Sequence, residues 1–77
     1  MTPEQAALWH GGWARGLAVA RRLLASGTEA AALRAEAAEI RDATGDEDAV
    51  YWDEGVGVGI EHAIMELSPP AHSGPVG

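Results

Sequence analysis

The chain has 77 residues, 47% of them apolar, no cysteine, and twelve acids against five bases for a formal net charge of −7. That length holds one small domain, which buries only about 60% of the surface its unfolded form exposes. The composition excludes disulfides and thiolate metal sites, fits a reducing cytoplasm, and opposes nucleic-acid phosphate and anionic lipid by charge, so direct binding of either is not expected.

The first element opens on TPEQ, where Thr2 can cap a helix, Pro3 suits its first position and Gln5 can complete a capping box. The helix is predicted over about 3–26, with Gly27 placed to end it in the left-handed conformation. Thr28 is then predicted to cap a second helix, about 29–44, which packs through a narrow stripe of Ala30, Leu33, Ala37 and Ile40. Gly45 closes that helix, and Asp46 caps a third over about 47–67, whose first turn carries Glu47 and Asp48 at the positive end of the helix dipole. Within it GVGVGI alternates at period two, a strand signal, but no second strand is present to pair with it, so helix is preferred. Pro69 and Pro70 stop the third helix. Residues 69–77 lack apolar periodicity and are expected to form a disordered tail outside a three-helix, all-α domain of residues 1–68.

Helices one and three share the pattern WxxGhxxGhxxAxxxL, in which h is apolar: Trp9 matches Trp52, Gly12 Gly55, Gly16 Gly59, Ala20 Ala63 and Leu24 Leu67. Positions four apart lie along one side of a helix. Each interior glycine costs about 1 kcal/mol relative to alanine, so four of them demand an offsetting gain. Close backbone approach supplies it. The stripes Gly12, Gly16, Ala20 and Gly55, Gly59, Ala63 are expected to face each other in a parallel pair, as small residues do wherever helices meet closely. This reasoning leaves Gly11 and Gly57 without a role. Alongside run Trp9, Trp13 and Leu17, matched by Trp52, Val56, Ile60 and Ile64. They read as core, but so small a chain has difficulty burying three tryptophans, and Trp9, Trp13 and Trp52 are therefore candidates for an interface.

The stretch YWDEGVGVGIEHAIMEL, residues 51–67, loosely resembles short helices with glycine at four-residue spacing near an aromatic and acids. Such helices occur in small uncharacterised accessory proteins of actinobacteriophages and high-GC actinobacteria. The many alanines and glycines, and five arginines with no lysine, resemble the output of such genomes. The resemblance implies an accessory protein acting on a host or viral partner, and no activity.

Chemistry finds little support in the residues. GVGVG lacks the GxGxxG spacing, and the chain has no lysine for a P-loop. His10, His62 and His72 form no HxxxH or HExxH pair, and His62 with Glu66 supplies at most half a metal site. No nucleophile has a base placed beside it by spacing, so neither catalysis nor a cofactor is expected. Neither apolar window approaches the roughly 20 mostly apolar residues of a membrane span, and no secretory signal opens the chain, so a cytoplasmic location is expected.

Only 18 large apolar side chains remain once Met1 and Val76 are set aside, none of them phenylalanine. So thin a core calls for a partner, and self-association is expected. The leading functional expectation is a non-enzymatic, homodimeric protein-interaction module, a small adaptor or inhibitor. Residues 1–41 hold five arginines and four glutamates, whereas residues 42–77 hold eight acids and no base. That asymmetry gives two alternatives. In one, Asp46, Glu47, Asp48, Asp53 and Glu54 form an acidic surface that mimics nucleic-acid phosphates and inhibits a nucleic-acid-binding enzyme, as anti-restriction or anti-CRISPR proteins do. In the other, the acidic half of one copy meets Arg15, Arg21 and Arg22 of the next in a larger assembly.

Overall fold

The structure, a computed structural model, describes residues 1–42, 45 and 47–67. Three helices follow one another, α1 (Pro3–Ala25), α2 (Ala30–Asp42) and α3 (Glu47–Leu67), and the described residues contain no strand. GVGVGI is helical throughout. The expected end of the second helix at Ala43 and Thr44, the Asp46 cap of the third, and the tail at 69–77 lie outside the described residues.

Thr2 and Gln5 form the capping box at the start of α1. The Gln5 backbone N–H donates to Thr2 Oγ1 at 3.1 Å, and the Thr2 N–H donates to Gln5 Oε1 at 2.9 Å. At the other end Gly27 adopts φ 103°, which lets the Gly27 N–H reach the Leu24 carbonyl and the Thr28 N–H reach that of Leu23. Thr28 is thereby engaged in closing α1. The first carbonyl to serve α2 is that of Glu29, which accepts from Ala32 and Leu33 N–H. α2 thus starts one residue later than a Thr28 cap predicts.

α1 and α3 lie side by side and parallel, with α2 returning antiparallel against α3 and scarcely touching α1. The glycines set the first contact. A Cβ built on Gly12 would fall on the Trp52 carbonyl oxygen, and one on Gly55 would fall on that of Trp9. In the same reciprocal way Gly16 meets the Val56 carbonyl and Gly59 that of Trp13, so matched residues of the two helices meet each other's backbones. The hydrogen that glycine carries in place of Cβ therefore points at a carbonyl oxygen of the facing helix, a contact worth about 0.5–1 kcal/mol each. Four such contacts, with the dispersion gained by close approach, are of the size needed to offset four glycine penalties.

α2 seats on α3 by a different device. Gly57 leaves room for the aliphatic stem of Arg41, whose guanidinium donates to Glu61 at 2.7 Å. Leu33 and Ala37 of α2 join Leu17, Ala20, Ile60, Ala63 and Ile64 in the core, and Ala30 and Ile40 are half-buried beside them. Ile64 is the one large side chain among the described residues that is almost wholly enclosed, at 1% exposure. No helix among the described residues is long and apolar enough to cross a membrane.

Candidate interaction groove

Because α2 rests on α3 and not on α1, the two outer helices diverge and leave an open cleft of about 640 Å³ with α3 as its floor. Val19, Ala20 and Leu23 form the α1 wall, Leu33 and Ile40 the α2 wall, and Val56 and Ile60 the floor, with Trp52 at one end. This volume lies within the roughly 300–1,000 Å³ range of binding pockets, and the lining is largely apolar. Its polar groups stand at the margins: Arg15 on α1, Glu36 on α2, and Asp53 beside Trp52. Leu23 and Trp52 are exposed at 37% and 38%, an amount of apolar surface that a finished core would cover.

All six small residues of the two stripes, Gly12, Gly16, Ala20, Gly55, Gly59 and Ala63, are buried along the seam between α1 and α3. The tryptophans do not share one surface. Equivalent side chains of two reciprocally packed parallel helices fall on opposite flanks of the pair. Trp52 accordingly turns to the groove and covers Gly11, where a Cβ would lie 3.0 Å from its ring. Trp13 turns to His62 on the other flank, with ring centroids 5.6 Å apart, and is half-buried against the core. Trp9, also half-buried, meets His10 edge-on at 5.3 Å.

The acids are scattered too. Asp48 lines a crevice with Thr2, Glu4, Leu8 and Trp52, Asp53 lies at the groove, and Glu54 stands near Arg41 and Asp42. At 100° per residue these three side chains leave α3 in three directions. Asp46 and the Glu47 side chain lie outside the described residues.

Two arginines are engaged within the chain, Arg41 with Glu61 and Arg21 with Glu66. Arg21 donates to both carboxylate oxygens of Glu66, at 2.9 and 2.6 Å, tying α1 to α3 near their C-terminal ends. This hydrogen-bonded pair holds the Glu66 carboxyl below its ordinary pKa and raises that of Arg21. Arg21 is therefore engaged inside its own chain, while Arg15 and Arg22 make no ion pair among the described residues. His62 Nε2 lies 3.6 Å from Glu66. Among the described residues no group of three or more histidine, aspartate or glutamate side chains is placed to hold a metal ion.

Sequence periodicity marks the glycine seam, but Val19, Leu23, Ile40 and Val56 carry no signal as a joint surface because three different helices supply them. Gly11 and Gly57 acquire roles only against Trp52 and Arg41. Fold and groove together define the class: a three-helix, up-down-up chain with an open apolar groove among the described residues. No protein family, curated protein or solved structure matches the chain.

Proposed function

We propose that the protein is a non-enzymatic helical module of the cytoplasm that works by protein–protein contact and associates with itself. The observation that carries this reading is the unfilled apolar groove, in which Leu23 and Trp52 remain exposed while, among the described residues, a single large side chain lies below 2% exposure. Covering the groove supplies burial that one chain lacks. An adaptor or inhibitor acting on a host or viral protein would use the same surface. Among the described acids, the divergent directions of Asp48, Asp53 and Glu54 favour this reading over the phosphate-mimic alternative.

Sedimentation equilibrium over a hundredfold range of concentration tests the reading. The parent is expected to pass from monomer to twice that mass, and Leu23→Glu, which places a charge in the groove, is expected to remain monomeric. A parent at monomer mass throughout would overturn self-association.

A further inference from the structure

We infer that the groove receives α1 of a second copy of this chain, the two copies being related by a two-fold axis that passes beside α1, perpendicular to it, between the levels of Val19 and Leu23. This rests on the self-association proposed above and adds the surface, the occupant helix and its direction. The two walls of the groove carry opposite charge. Arg15 lines the groove on α1 and Glu36 on α2; Arg22 follows Arg15 on the side of α1 that carries Val19 and Leu23, and Glu29, the residue before α2, precedes Leu33 and Glu36. All four charged side chains are exposed, and none makes an ion pair among the described residues. Arg15 and Arg22 are seven residues apart, about 10.5 Å along the helix, and Glu29 and Glu36 are also seven apart, from the residue before α2 into its second turn.

A second α1 laid in the groove brings its Val19 and Leu23 onto the apolar lining and sets two guanidiniums opposite two carboxylates. The direction follows from the fold. A two-fold axis perpendicular to α1 makes the two α1 helices antiparallel. Since α2 is antiparallel to its own α1, each α1 then runs parallel to the α2 it meets. Arg15 pairs with the partner's Glu29, and Arg22 with the partner's Glu36. The contact is made twice, so the assembly closes as a dimer and does not grow.

Two double variants test this: Arg15→Glu with Arg22→Glu, and Glu29→Arg with Glu36→Arg. They change exposed side chains only, and circular dichroism checks that their helices persist; if one pair unfolds, the single variants Arg22→Glu and Glu36→Arg carry the same test. Each double variant alone opposes like charges in both contacts and is expected at monomer mass. An equimolar mixture restores all four pairs and is expected at twice that mass. In addition, the chain has no cysteine of its own, so introduced cysteines report on the axis: a two-fold between positions 19 and 23 sets Val19 of one copy against Leu23 of the other, and an equimolar mixture of Val19→Cys and Leu23→Cys chains should give a disulfide dimer on addition of an oxidant. A parent that is monomeric at every concentration overturns self-association and this inference together. A dimeric parent whose double variants each remain dimeric, whose mixture stays monomeric, or whose mixed Val19→Cys and Leu23→Cys chains do not cross-link overturns the groove assignment alone.

Discussion

Gly16 and Gly59 each stand where one added carbon would strike the backbone of the facing helix, at the Val56 and Trp13 carbonyls respectively. Backbone cannot swing aside as a side chain can, so Gly16→Ala or Gly59→Ala must push α1 and α3 apart. Alanine gains about 1 kcal/mol in helix propensity, whereas overpacking costs about 1–3 kcal/mol and here opens the whole seam. Packing is expected to win, and each variant should melt lower than the parent by about 4 °C or more. A higher melting temperature in both would show that the seam tolerates separation. Gly57 makes the internal comparison. Its nearest neighbour is the stem of Arg41, which can shift, and the backbone it meets, the Ala37 carbonyl, stands off at 3.3 Å from an added Cβ, so Gly57→Ala should cost less than either seam variant, in thermal melts at matched concentration.

At the scale of elements, α2 is the least secured helix, since its hold on the molecule runs through Leu33, Ala37 and the Arg41–Glu61 pair against α3. Leu33 is 4% exposed but borders the open groove, where the cavity left by truncation can partly collapse or fill with water. Leu33→Ala should therefore lie near the low end of the 2–5 kcal/mol range, about 2–3 kcal/mol. Hydrogen exchange should show α2 losing protection before α1 and α3. Equal loss in all three helices would mean that α2 unfolds only with the whole. The Arg21–Glu66 pair, which joins α1 to α3, gives a pH-dependent counterpart. Its carboxyl has a folded pKa below the ordinary value, so its stabilising contribution is full above the ordinary carboxylate range, near 4.3, and is lost as pH falls through the lowered folded value. The pair is at the surface, so the effect is small and weakens with salt. Glu66→Gln should flatten part of the fall in melting temperature from about pH 5 downward. Parallel curves for variant and parent would show that the pair contributes nothing.

For the molecule as a whole, the shortage of enclosed large side chains and the open groove point the same way. If a second copy covers the groove, mass action makes the unfolding midpoint rise with protein concentration. Over a hundredfold dilution the melting temperature should fall while the mass moves toward that of the monomer. A constant midpoint would place all the stability within one chain. The charge distribution also changes its meaning at this scale. Arg15, Arg21 and Arg22 form one basic group in the sequence, but Glu66 engages Arg21, so the α1 arginines without an ion pair among the described residues are Arg15, which lines the groove, and Arg22.

The sequence by itself determined the three helices and the seam between the first and third. Caps, helix stops and glycines spaced by four act over one or two turns, a range within which sequence neighbours are also spatial neighbours. The boundary at Thr28 shifted because the carbonyl that opens α2 is that of Glu29, while Thr28 belongs to the turn that closes α1 through its N–H bond to Leu23. Only the tertiary structure decided which face of the helix pair α2 covers, and hence where a groove remains. It placed Trp52 and Trp13 on opposite flanks, gave Gly57 its role beneath Arg41, and gathered Val19, Leu23, Ile40 and Val56 into one surface. Those outcomes depend on the axial offset and rotation of α2 against α3, which are set by the fit of Leu33, Ala37 and Arg41 into positions far away in the chain. No local period encodes that fit.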